Sequence, residues 1–270
     1  MSKLIPSAAV WKEGGGYYVE RPEDLRRRPL LPSGRRQRDR RLLALFRRYG
    51  ELGRESHVLE IGCGRSIWLP CLAMSFGCRV SGIDVESYAA ELARANLAGA
   101  GIDGEIMCRD AFDDAANRDL QGCYDLIYSM GVMEHFEDPS PRLAALSRYL
   151  KPGGRLLTTV PNLQGVNWLL QRLASLERLN MHVIYDARRL AAIHRDAGLD
   201  IVSAGYVGFY DGYVSAADAG TARLRGRLHA WLSRTSNLAA TAWSRATGAR
   251  LAPETKWFAP NVYCVGQRAG

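Results

Sequence analysis

Strand-length apolar runs alternate with helix-length stretches along most of this 270-residue chain, and that alternation limits the folds open to it. The strand-like runs fall at 57–61 (HVLEI), 79–83, 104–107, 123–128, 155–160, 199–207 and 261–266. Helical stretches at 67–77, 86–98, 139–150 and 186–197 separate most of them. Such strands and helices, joined by short turns, make βαβ units and an α/β fold with a doubly wound, parallel sheet. Right-handed crossovers then place helices on both faces. Residues 1–34 read as irregular, and Ser33 is placed to cap a helix over about 35–50 whose apolar side is Leu42, Leu43, Leu45 and Phe46. Two stretches exceed this plan, a helix-like insert at 162–180 and a longer one at 210–258.

The first strand runs into a glycine turn, HVLEIGCGRSIW. A dinucleotide turn requires G-x-G-x-x-G, and counting from Gly62 the third place is Ile67. A phosphate loop requires Gly-Lys-Ser/Thr, which does not occur here. Glu60, one residue before the turn, would repel a pyrophosphate but suits a ligand with ammonium or hydroxyl donors. Asp84 closes the second strand, where its two oxygens can accept from both hydroxyls of a ribose. Asp110, in CRDAF after the third strand, can accept from an exocyclic adenine amine.

Taken in order, E-x-G-C-G, G-I-D, R-D-A, Y-D-x-I, M-E-H and L-K-P-G-G-x-L resemble the class I S-adenosylmethionine-dependent methyltransferases. The branch most similar holds ubiquinone-biosynthesis O-methyltransferases and many small-molecule enzymes of bacterial secondary metabolism. The resemblance spans about residues 55–205. It implies S-adenosyl-L-methionine as cofactor and a Rossmann-like, seven-stranded sheet whose final hairpin is reversed. It further implies that Glu60, Gly62, Cys63 and Gly64 accommodate the methionine portion, Asp84 the ribose, and Val85, Asp110 and Ala111 the adenine. Ser129 and Met130, in the loop after strand four, would meet the methionine amine. The departure is Arg65-Ser66, where the family often has a small residue and a glycine. Ser66 can still cap the next helix, and Arg65 either faces solvent or reaches the cofactor carboxylate.

A sulfonium methyl is already activated, so the protein mainly aligns nucleophile and methyl and excludes water. A base is needed where the nucleophile is a hydroxyl. His135, just beyond strand four, and His182, after the first insert, are the catalytic candidates, each weighed against a structural role, while Glu134 positions the loop. The acceptor is expected among the variable segments, where Tyr17, Tyr18, Trp168 and Met181 are candidate contacts. Their aromatic content favours an apolar or aromatic small molecule. The chain thus divides into an N-terminal lid and helix (1–50), a cofactor-binding core (51–209), a helical substrate cap (210–258) and a last core strand (259–270).

The net charge is +8, and residues 21–48 alone hold eleven arginines against three acids, 11 − 3 = +8. Such a run marks a solvated face or an anionic partner. It lacks the interleaved aromatics of a base-stacking surface, and SMGVMEHF after strand four is not an Asn-Pro-Pro-Tyr-type motif, so nucleic acid is not the expected partner. Residues 221–250 carry six arginines and no acid, with Trp231 and Trp243 alongside, a composition that admits peripheral membrane contact. No apolar window of about 18 residues occurs, as a spanning helix would need. The N-terminus lacks the apolar core of a secretory signal. The six cysteines show no CxxC pair or partner histidines at zinc spacing. A reduced, cytoplasmic protein with no metal site is the expectation. Oligomeric state is left open.

Overall fold

The computed structural model describes residues 20–174, 176–211, 235–236, 238–243, 246–247 and 254–270. The readings placed on Tyr17, Tyr18 and Trp231, and most of those on 210–258, lie outside the described residues.

The chain runs α1 (Pro22–Arg27), α2 (Gln37–Tyr49), β1 (His57–Ile61), α3 (Trp68–Phe76), β2 (Arg79–Asp84), α4 (Ser87–Gly99) and β3 (Glu105–Cys108). It continues through β4 (Tyr124–Met130), α5 (Ser140–Tyr149), β5 (Leu150–Pro161), α6 (Gly165–Ala174) and α7 (Leu176–Asn180). It ends with α8 (Ala187–Asp196), β6 (Asp200–Val207) and β7 (Asn261–Gln267). The seven strands form one sheet in the order β3-β2-β1-β4-β5-β7-β6. The first five are mutually parallel where they pair, and β7 lies antiparallel to both β5 and β6. This is the expected Rossmann-like α/β fold with a reversed final hairpin.

Strand periodicity sorts the core. Leu59, Ile61, Ile127 and Leu156 face one side, against Leu143 and Leu146 of α5 and Leu190 and Ile193 of α8. Val58, Leu126, Tyr128 and Leu157 face the other, against α2, α3 and α4. Successive strand residues point to opposite faces, and a sheet covered on both needs apolar side chains at both phases. Ile61 pairs with Ile83 and with Ser129, so β1, β2 and β4 end level along one carboxyl edge. The chain leaves β1 toward β2 and β3, then returns to lay β4 on β1's other side. That reversal opens a crevice beyond the strand ends, where ligands of open α/β sheets bind.

Two local expectations are corrected. Residues 22–27 are helical, not irregular, because Leu25 is buried with Leu92 and Ala95 of α4. Asn96 holds the following segment by bonding both the N–H and the carbonyl of Leu30, at 2.6 and 2.9 Å. Ser33 does not cap α2. The helix starts at Gln37, and Asp39 reaches back to accept the Ser33 N–H at 2.8 Å.

His194 of α8 is fully buried, with Nε2 3.0 Å from the Thr158 hydroxyl, and burial pushes its pKa down to about 3. At neutral pH the ring is uncharged in both folded and unfolded chains. Below the ordinary value near 6.5 the unfolded chain takes up a proton that the folded one refuses until about 3, so stability falls through that window. About 2 kcal/mol of urea-unfolding stability is expected to go between about pH 7 and 5 through this residue. His194→Gln should lose that much less over the same interval. Equal losses in the two proteins would show that His194 is not the acid-sensitive group.

Candidate functional site

The turn after β1 is stitched to the tip of β2. The Ile83 carbonyl accepts the N–H groups of Gly62 (2.9 Å) and Cys63 (3.2 Å), and Asp84 Oδ2 accepts that of Gly64 (2.8 Å). Gly62 and Gly64 sit at φ +66° and +48°, the left-handed region that favours glycine. A Cβ on Gly62 would come within 2.7 Å of Val132 Cγ2, so the loop after β4 closes directly over the turn. Ser66 serves as expected: its hydroxyl accepts the Leu69 N–H at 3.0 Å and donates to Glu60. Glu60 is buried at 5% exposure, and that burial raises its pKa to about 8 against the opposing Ser66 hydrogen bond. Its carboxyl therefore braces the turn. Ile67, at the place of a third glycine, is right-handed (φ −86°, ψ −16°) and leads into α3 with no glycine required.

Arg65 keeps 42% of its side chain exposed and has a partner that neither expectation named. Its guanidinium pairs with Glu20, and the Tyr88 hydroxyl donates to the Glu20 carbonyl at 2.9 Å, so the chain entering α1 is clasped beside the turn.

The other sequence-predicted positions gather along the same edge. Asp84 keeps its pKa raised, chiefly by burial, while accepting from Gly64 and Glu86. Val85 is held outward at 60% exposure. Asp110 is exposed and accepts the Phe112 N–H at 2.9 Å, an Asx turn, and Ala111 is buried with its carbonyl on the Tyr149 hydroxyl. Ser129 is fully buried at the end of β4, and its hydroxyl finds no partner within the protein. Met130 follows it, half-buried.

Beyond β4 the 3₁₀ turn Met133–His135 meets the segment after α7. The Val183 N–H donates to the Glu134 carbonyl at 2.7 Å, and the Tyr185 hydroxyl to the Phe136 carbonyl at 2.9 Å. This zips the segment carrying Met181 and His182 onto the β4 loop. The His135 and His182 rings lie 5.0 Å apart, His135 hydrogen-bonds the Met181 backbone, and burial, then the neighbouring His182, lowers the His135 pKa to about 4. Trp168 lies on α6 with the Arg172 guanidinium over its ring at 5.0 Å. The sequence reading gave Glu134 only a loop-positioning part. Its carboxyl is buried beside both imidazoles, with Oε2 unbonded. It also left out Arg142, whose guanidinium lies 3.8 Å over Phe136. The M-E-H triplet was the signal for the first, and nothing local signalled the second.

A family model described as a methyltransferase domain matches residues 35–204. The chain belongs to this methyltransferase domain family. It is similar to the ubiquinone biosynthesis O-methyltransferase of Klebsiella pneumoniae subsp. pneumoniae, with 31% identity over 42% of this chain and 46% of that protein. The protein of the same description from Thiobacillus denitrificans is 36% identical over 42% of this chain and 47% of its own length. The chain thus matches slightly under half the length of these curated relatives. In fold it resembles a Streptomyces coelicolor geranyl diphosphate C-methyltransferase solved with S-adenosyl-L-homocysteine. That likeness has a TM-score of 0.53 and 18% identity, over 84% of this chain and 78% of the other.

Membership gives the chain a methyltransferase domain, and its crevice suits S-adenosylmethionine as the cofactor. Two bare glycines, an acid at the tip of β2, an outward valine and a buried hydroxyl with an open valence suit a nucleoside joined to an amino acid. For the turn, Gly62→Ala is expected to lower unfolding stability by about 2–3 kcal/mol, adding a clash to left-handed strain. Gly101→Ala, at φ +68° with open space around it, carries the strain alone and should cost about 1 kcal/mol. Equal losses in a denaturant titration would mean that the β4 loop does not close on Gly62.

Proposed function

We propose that the protein transfers a methyl group from S-adenosylmethionine to an oxygen of a small, apolar or aromatic metabolite. The observation that carries this reading is the His135–His182 pair, one ring on the loop whose Val132 closes over Gly62 and the other, 5.0 Å away, on the segment zipped to that loop. The cofactor supplies a methyl on a positively charged sulfur. The Gly62–Gly64 turn holds the methionine portion. Asp84 accepts from the ribose hydroxyls with the lone pairs that Gly64 and Glu86 leave over. Val85 lies against the adenine, and Asp110 and Ala111 meet its edge. The open valence of Ser129 and the backbone of Met130 receive the amino-acid end. The segment running from α6 to His182, with Trp168 and Met181, walls the acceptor side and keeps water out.

A hydroxyl is a poor nucleophile until its proton is drawn away. The acceptor oxygen meets His135 and His182, and the bond from His135 to the Met181 backbone fixes one ring's orientation. Small-molecule acceptors also suit the relatives, whose names place them in ubiquinone biosynthesis. A second reading rests on the exposed arginines of residues 26–48, among them Arg26, Arg27, Arg28, Arg35, Arg36 and Arg40. They would bring the enzyme to a lipid-linked acceptor at an anionic surface. No helix among the described residues is long and apolar enough to cross a membrane. Flotation with anionic vesicles at low salt decides between the two, since absence of binding removes the surface reading.

The enzyme, incubated with S-adenosylmethionine and a panel of phenols, catechols and aliphatic alcohols, is expected to form S-adenosyl-L-homocysteine only with an oxygen acceptor present. Activity confined to amines or thiols would overturn the oxygen assignment. Asp84→Ala should weaken S-adenosyl-L-homocysteine binding by roughly 10- to 100-fold in calorimetry. His182→Ala should leave that affinity unchanged and lower kcat/KM by about 100-fold or more.

A further inference from the structure

We propose that Glu134, His135 and His182 form a binding site for one first-row divalent cation, placed to hold the acceptor's oxygen. The proposal deepens the function given above, and its catalytic part rests on that reading. Each of the three residues offers one ligand atom, and these atoms lie within 4.8 Å of one another. Glu134 is 3% exposed, and its Oε2 has no hydrogen-bond partner in the protein. A buried carboxyl oxygen left unbonded is costly, and an ion between it and the imidazoles removes the cost.

The surroundings resemble those of ligating side chains. His135 hydrogen-bonds the Met181 backbone, the outer contact that orients a metal-bound imidazole and raises its donor strength. The Glu134 backbone is held by Val183, the residue next to His182, so the two halves of the site are fixed to each other through 2.7 Å of hydrogen bond. Bonds of about 2.1 Å around an ion set neighbouring ligand atoms roughly 3.5 Å apart. The observed spread is somewhat wider, and rotation of the His182 side chain, which is half-exposed, draws it in.

Two imidazoles and one carboxylate select zinc, manganese or iron(II) over magnesium or calcium, which favour all-oxygen shells. Three protein ligands leave positions open, as catalytic sites do. An acceptor hydroxyl bound there loses its proton to solvent more readily. Its oxygen then forms the new bond to the methyl carbon as the carbon–sulfur bond breaks and leaves a neutral thioether. No oxidant or reductant takes part. The cysteine spacing had pointed to no metal site, and the site proposed here uses no cysteine.

The test is titration of the chelator-treated 270-residue chain with Zn2+ and, separately, Mn2+. Wild type is expected to bind one ion per chain, with a rise in melting temperature on binding. Glu134→Gln and His182→Ala should each weaken binding at least 10-fold. Visible absorption of the Co2+ protein should change in His182→Ala, a change that a merely structural histidine would not cause. Absence of binding by wild type, or affinities unaltered in both variants, overturns the proposal. S-adenosyl-L-homocysteine titrated into the same samples reads the cofactor site separately. Its failure to bind would sink the proposed function and leave the cation result standing.

Discussion

One carbonyl and one carboxylate organise the site. The Ile83 carbonyl accepts two amide groups from the turn after β1, and Asp84 accepts a third, so three N–H groups that would otherwise lie unbonded are tied to the tip of the neighbouring strand. This works only because β1 and β2 end level, a consequence of the parallel register that pairs Ile61 with Ile83. It also requires glycine at Gly62 and Gly64, because the backbone turns left-handed there and because Val132 closes over the first. A sheet pairing, a hydrogen-bond cluster and a loop contact thus share one small volume, and a cofactor bound there meets a turn that is already formed.

The same edge explains where the acceptor side can be built. β4 lies on the far side of β1, and its last residues continue directly into the turn that carries Glu134 and His135. Residues 181–185, delivered by the insert after β5, are fastened onto the β4 loop by Val183 and Tyr185. Extra helices between β5 and α8 therefore add to this edge without altering the sheet, which is how one fold accepts different substrates.

Much of this was legible in the sequence, because strands and turns speak locally. The strand runs at 57–61 and 79–83 needed only apolar patterning, and the glycine turn with Asp84 needed only order and spacing. What stayed hidden depends on residues distant in the chain. The helix Pro22–Arg27 exists because Leu25 packs on α4, some 70 residues on, and a run of arginines and prolines gives no hint of that partner. Arg65 looked like an unexplained break in a motif until Glu20, 45 residues earlier, was found against it. His135 and His182 were each visible as candidates, yet neither sequence position shows that the two rings stand 5.0 Å apart.

Two buried glutamates on this edge differ in how their oxygens are met. Burial pushes the pKa of each up to about 8, so the shift alone does not separate them. Their partners do. Glu60 receives the Ser66 hydroxyl, whose oxygen in turn caps α3, and the exchange closes within the protein. Glu134 has an oxygen that nothing in the protein meets, and its carboxyl lies within 4.8 Å of a nitrogen of each of two imidazoles. The open oxygen of Glu134, near two imidazoles, is the one that the proposed cation would complete.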